Sequence, residues 1–238
     1  NPVAVELAEV SLWLNAIYGE PTEDENGKPL PPRPARVPWF GYQLFCGNSL
    51  IGARREVWSS GRLRKNAKPQ WYNEAPRRLN PQMGERRADE IYHFLLPDPN
   101  MANYTDKVAK TLYSTDFENI KMWRKEWAKP LDDAEITRLQ QLSQRVDELW
   151  AEHEQGLIRD RAATEDAMTV WPAKSVEPSA TSRQFKEDTR KKGLLNEDGD
   201  LATPYRRLKL VMDYWCALWF WPIQQSARLP SRDFWWMQ

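Results

Sequence analysis

Between Arg54 and Arg87 the sequence carries ten basic residues (54, 55, 62, 64, 65, 68, 77, 78, 86 and 87) against Glu56, Glu74 and Glu85, with Trp58, Trp71 and Tyr72 among them. Basic side chains neutralise phosphates and aromatic faces stack on exposed bases, so this interleaving is what a nucleic-acid contact surface requires. Arg54, Arg55, Arg62, Arg64, Lys65 and Lys68 are the candidate phosphate contacts. A second reading stays open. The stretch can equally be a solvated loop whose charges pair with residues 132 to 166, which hold ten Asp and Glu against four Arg.

Other chemistries leave no trace. His93 and His153 are the two histidines, and neither has Cys, Asp or Glu neighbours at metal-ligand spacing, so no metal is expected. Cys46 and Cys216 give neither a disulfide framework nor a zinc set, which points to a reducing compartment. A G-x-S-x-G nucleophile turn, a G-x-G-x-x-G turn and a phosphate loop are all absent. Trp residues at helical spacing, as Trp123 with Trp127 and Trp215 with Trp219, read as core.

The whole chain balances 34 basic against 34 acidic residues over 238 positions, which excludes a globally basic nucleic-acid coat. Its apolar and charged fractions are those of a globular protein. The most apolar stretch, Leu208 to Ile223, is interrupted by Lys209 and Asp213 and closed by Pro222, short of a bilayer span. No signal peptide opens the sequence, so a cytoplasmic protein without membrane contact is expected. The chain starts at Asn1 inside a helix signal and stops within an aromatic run, and it reads as an internal fragment.

The elements that would position these residues follow from spacing. Asn1 can cap a helix, Pro2 suits its first position, and Val3, Leu7, Val10, Leu14 and Ile17 form one apolar stripe. Six prolines make residues 21 to 38 a loop. Phe40, Tyr42, Leu44 and Cys46 alternate as in a strand, followed by the turn Gly47-Asn48-Ser49. Residues 53 to 81 are expected to be irregular with short pieces. A helix is predicted over 85 to 96, and another carries Phe117, Ile120, Trp123 and Trp127 behind a Thr115/Glu118 capping box. The longest helix starts at an Asp132/Glu135 box, runs to about Glu165, and suggests a hairpin arm or an ordinary surface helix. Residues 170 to 180 and 193 to 202 read as loops. A last helix, capped by Thr203 with Pro204 first, aligns Tyr205, Leu208, Met212, Trp215 and Trp219.

Two blocks, Asn1-Pro2-Val3-Ala4-Val5-Glu6-Leu7-Ala8 with Ser11-Leu12-Trp13-Leu14, and Cys46-Gly47-Asn48-Ser49-Leu50-Ile51-Gly52, resemble large bacterial S-adenosylmethionine-dependent DNA adenine methyltransferases. The subgroup is Eco57I-like and of the BREX and DISARM phage-defence type. Ile91 to Asp98 with Met101-Ala102, Trp215-Cys216-Ala217, Phe220-Trp221-Pro222 and Leu229 to Asp233 look like the same subgroup.

The resemblance implies a mixed α/β, predominantly α chain: part of a Rossmann-like class I methyltransferase sheet plus a large helical insertion. Residues 1–52 would belong to the cofactor core, 53–202 to a mostly helical insertion and candidate DNA-contacting region, and 203–238 to a helix returning to the core. Asn1, Pro2 and Val3 would lie beside the adenosine of S-adenosylmethionine, and Gly47, Asn48, Ser49 and Leu50 around its adenine. An amide at Asn48 can bond an adenine edge, and Gly47 would let the backbone approach. The family's catalytic tetrapeptide, Asn or Asp followed by Pro-Pro and an aromatic, does not occur in these residues, so no catalytic residue is assigned and the segment alone is not expected to be active. Double-stranded DNA and further subunits of the defence system would be the partners. The alternative is a noncatalytic helical scaffold or nucleic-acid-binding module.

Overall fold

A computed structural model of the chain describes residues 1–16, 20–24, 26–33, 39–48, 50–80, 84–165, 182–196 and 203–237. Helices α1 (Pro2–Ala16), α2 (Ser60–Leu63), α3 (Lys107–Leu112), α4 (Ser114–Trp127), α5 (Asp133–Thr164), α6 (Arg183–Lys192), α7 (Pro204–Trp219) and α8 (Arg232–Met237) dominate. Strands β1 (Glu20–Glu23), β2 (Pro29–Arg33), β3 (Glu56–Ser59), β4 (Arg77–Arg78) and β5 (Glu90–Tyr92) are short. The chain is therefore mixed α/β and mostly helical. It divides into two units, Asn1–Ser49 with Gln155–Asp200, and Leu50–Glu154 with Leu201–Gln238.

In the first unit α1 forms where its cap and stripe require. The Asn1 side chain accepts from the Val3 N–H at 3.1 Å, and Pro2 is the first helical residue. The stripe itself stays uncovered: Val3, Leu7, Val10 and Leu14 are between 43% and 72% exposed. The proline-rich stretch forms a hairpin rather than a loop, β1 pairing antiparallel with β2. A ribbon of two strands has edges only, so prolines can face away from its ladder. Asp24 closes the turn, its side chain accepting from Asn26 N–H at 2.9 Å and Lys28 N–H at 2.8 Å, with Gly27 at φ +75°.

The strand expected over Trp39 to Cys46 does not form. The Phe40 carbonyl accepts from Gln43 N–H at 3.0 Å and Leu44 N–H at 3.2 Å, which bends the chain into a turn. The Trp39 ring folds back over Gly41, where a Cβ would collide with it, and meets Tyr42 edge-on with centroids 5.2 Å apart. The Trp39 indole donates to Glu187 Oε1 on α6 at 2.7 Å. Among the described residues there is thus no parallel sheet; the strands form the hairpin and one antiparallel sheet of three.

That sheet, ordered β4-β3-β5, organises the second unit. Residues 85 to 96 are not the helix expected: β5 pairs Tyr92 with Val57 and Ile91 with Trp58, and a 3-10 turn follows at His93–Leu95. All three β5 residues are buried, and a short run buried on every side carries no helical or strand period of its own. The sheet packs into one core with the α5 stripe, where Ile136, Leu139, Val146 and Leu149 are buried. α5 starts at the expected box, Asp132 Oδ1 accepting from Glu135 N–H at 2.8 Å and Glu135 Oε2 from Asp132 N–H at 3.0 Å. α4 forms without the Thr115/Glu118 box; its N-cap is Tyr113, with no side-chain bond. α7 begins as its signals require, Thr203 accepting from Arg206 N–H at 3.3 Å with Pro204 first. Residues 170 to 180 and 197 to 202 lie outside the described residues.

Candidate functional site

The second unit contains an open cavity of about 340 Å³. The β3 strand and the 3-10 turn at Trp71–Asn73 give one wall, Trp58, Trp71 and Tyr72, and the start of the 3-10 turn after β5 with the end of α7 gives the other, His93, Trp215 and Trp219. Neighbouring rings stand nearly perpendicular. Trp58 and Trp71 meet at 71° with centroids 5.8 Å apart, Trp71 and Tyr72 at 78° and 5.7 Å, His93 and Trp215 at 79° and 4.8 Å, and Trp215 and Trp219 at 65° and 5.5 Å.

Glu56, Glu74 and Asp98 line the same space, with Arg54 the single cation. Glu56 is held by Arg78 at 3.0 Å and Glu74 by Arg62, so both carboxylates have spent an oxygen on a guanidinium. Burial pushes the Asp98 carboxyl up, partly offset by the Asn100 N–H it accepts at 2.7 Å. Burial likewise holds His93 below the ordinary histidine value. Its Nε2 lies 3.0 Å from Arg54 N and 2.9 Å from Arg54 O, which fixes the ring against the strand entry. The indole N–H groups of Trp215 and Trp219 are buried without a partner among the described residues.

The basic stretch is largely neutralised within the fold. Glu90 takes Arg77 at 2.8 and 2.6 Å, Asp147 on α5 takes Arg86 at 2.7 Å, and Arg64 meets Asp133 on α5 at 3.1 Å. Of the six nominated phosphate contacts, Arg62 is engaged by Glu74, and the Arg55 guanidinium lies over the Trp150 ring, 5.2 Å from its centroid. Arg54, Arg64, Lys65 and Lys68 remain exposed. Lys65 and Lys68 make no ion pair among the described residues, and the Arg64–Asp133 pair lies in solvent, where such pairs contribute little.

Of the residues nominated for S-adenosylmethionine, Asn1, Pro2 and Val3 stand at the start of α1, and Gly47 and Asn48 follow the turn after Phe40. The Asn1 amide is committed to its own helix, a Cβ at Gly47 would meet open space, and Asn48 is exposed. Leu50 is 91% exposed and belongs to the second unit, whereas Pro2, Val3, Gly47 and Asn48 belong to the first; Ser49 lies outside the described residues. Among the described residues no cluster of His, Cys, Asp and Glu could hold a metal, and no helix is long and apolar enough to cross a membrane.

No protein-family model matches the chain, and neither a curated protein nor a solved structure matches it. Trp58, Trp71 and Tyr72 of one wall stand out in the sequence, but Trp215 and Trp219 of the other do not, because four residues apart on α7 they have the spacing of core residues. The available signal was Glu56 and Trp58 in alternation on β3: one residue between them turns inward at Val57 while both line the cavity.

Proposed function

We propose that the chain contributes a nucleic-acid-contacting region to an S-adenosylmethionine-dependent DNA adenine methyltransferase of a restriction or phage-defence system. The observation that carries the contact is the segment from Arg64 to Tyr72, where exposed Arg64, Lys65 and Lys68 precede the aromatic wall of an open cavity. Cations that no buried carboxylate claims are free to displace counterions from phosphates. The enzyme class rests on the resemblance of the two sequence blocks. It is supported by the uncovered stripe of α1, because a helix of an α/β layer lays such a stripe on a sheet. These residues provide contact and positioning, and no methyl-transfer step is assigned to them.

A specific observation favours a second reading, a noncatalytic nucleic-acid-binding module: the described residues contain no parallel sheet. One experiment separates the two. The polypeptide containing this chain is incubated with duplex DNA and methyl-labelled S-adenosylmethionine, and the nucleosides are analysed for N6-methyladenine. Labelled adenine supports the enzyme. DNA binding without label supports the module, and neither binding nor label overturns both.

A further inference from the structure

We propose that the aromatic cavity of the second unit binds a quaternary methylammonium group, a compact cation without N–H donors. The inference does not depend on the methyltransferase reading. Adjoining rings within each wall of this cavity meet at 65° to 79°, so its lining offers aromatic surface in several orientations rather than a single stack. That arrangement suits a rounded cation, which is attracted to the negative face of each ring it touches. Glu56 and Glu74 in the lining are neutralised by Arg78 and Arg62, so the attraction for a cation comes from the ring faces rather than from net charge.

The state of those carboxylates selects the kind of cation. Glu56 and Glu74 already hold Arg78 and Arg62, so neither is an open acceptor for a guanidinium or a primary ammonium. Asp98 already accepts from the Asn100 backbone. A cation that has no N–H donors, and so loses less than a primary ammonium by leaving water, fits such a lining. The volume of about 340 Å³ accommodates a trimethylammonium head together with the chain that carries it.

Two sources share this chemistry: a free quaternary amine, or a trimethylated lysine in a peptide. The full chain is titrated at constant ionic strength with tetramethylammonium, choline, a trimethyl-lysine peptide and 3,3-dimethylbutanol, the uncharged isostere of choline, while tryptophan fluorescence and indole NMR resonances are followed. Saturable binding of the cations and none of the isostere is expected. Tighter binding of the peptide than of choline identifies a peptide source, and the converse a free amine. Tyr72→Ala on the exposed rim weakens binding about fivefold while Tyr72→Phe leaves it unchanged, since the ring and not the hydroxyl acts. Circular dichroism of both variants checks that the fold persists. Equal binding of the isostere, preference for free adenosine over every cation, or no saturable response to any cation overturns the proposal.

Discussion

The Tyr92 hydroxyl donates to Asp147 Oδ1 at 2.8 Å, so a strand residue buried at the centre of the second unit is tied to the exposed flank of α5. The other oxygen of the same carboxylate takes the Arg86 guanidinium at 2.7 Å, and Arg86 also donates to the carbonyls of Arg87 and Glu90. Burial, with the Asp147 bond second, pushes the Tyr92 hydroxyl up to about 12, so it remains a donor at every ordinary pH. Asp147→Ala would leave the largely buried Arg86 guanidinium without its carboxylate and the Tyr92 hydroxyl without its acceptor. A loss of about 1.5 kcal/mol in urea-induced unfolding is expected, less than for a fully buried pair because Asp147 is partly in solvent. Asp147→Asn retains an acceptor and should lose less. A loss below about 0.5 kcal/mol in Asp147→Ala, the scale of a neutral surface substitution, would contradict this account.

Arg232 is a second such tie. Its Nε and Nη2 donate to the Trp127 carbonyl at 2.8 and 2.6 Å, and its Nη1 reaches Glu135 Oε1 at 3.1 Å. Trp127 ends α4, where carbonyls lack helical partners, and Glu135 belongs to the box that starts α5. One planar fork therefore joins two helix ends. Lysine has no such fork, so Arg232→Lys should lose most of what Arg232→Ala loses, about 2 kcal/mol in thermal or urea unfolding. Full stability of Arg232→Lys would show that charge alone suffices.

The helix starts were legible because their chemistry is local. Asp132 with Glu135, Thr203 with Pro204, and Asn1 with Pro2 each satisfy N–H groups within one turn, and each stands where its spacing requires. The segments from Trp39 to Cys46 and from Glu85 to Leu96 depart from their local patterns because distant residues decide them. Trp39 is drawn back over Gly41 and bonded to Glu187, and β5 exists only because β3 lies beside it. The site was half legible for the same reason. Interleaved charge is visible in sequence, but its neutralisation by Glu74, Glu90 and Asp147 is a property of the fold.

Acid should destabilise the protein through both histidines. Burial, the largest cause, holds His93 and His153 below the ordinary value of 6.5, against Arg54 O and Glu56 for His93 and against Glu154 for His153. The unfolded chain then takes up protons before the folded one. The stability these rings contribute is complete above about 6.5 and is lost as pH falls through their depressed folded values. Urea midpoints should fall between pH 8 and 5, and His93→Gln and His153→Gln should each flatten the profile. A midpoint that rises on acidification through that window, or variants as steep as the parent, would refute it.

The DNA-contact reading distinguishes between basic residues only a few positions apart. Lys65 and Lys68 are exposed and hold no ion pair among the described residues, whereas Arg62 is occupied by Glu74 and donates to the Lys68 carbonyl at 3.3 Å. Each lysine that neutralises one phosphate contributes about 0.9 to the slope of log affinity against log salt. Lys65→Ala and Lys68→Ala should therefore weaken duplex binding at low salt and lower that slope by about that amount each, with unfolding unchanged. Arg62→Ala should instead lower stability, because it frees Glu74 beside the cavity, and should leave the slope closer to the parent's. Filter binding across a salt series, with urea unfolding of the same proteins, tests both halves; a slope that responds to Arg62 and not to the lysines would move the contact surface elsewhere.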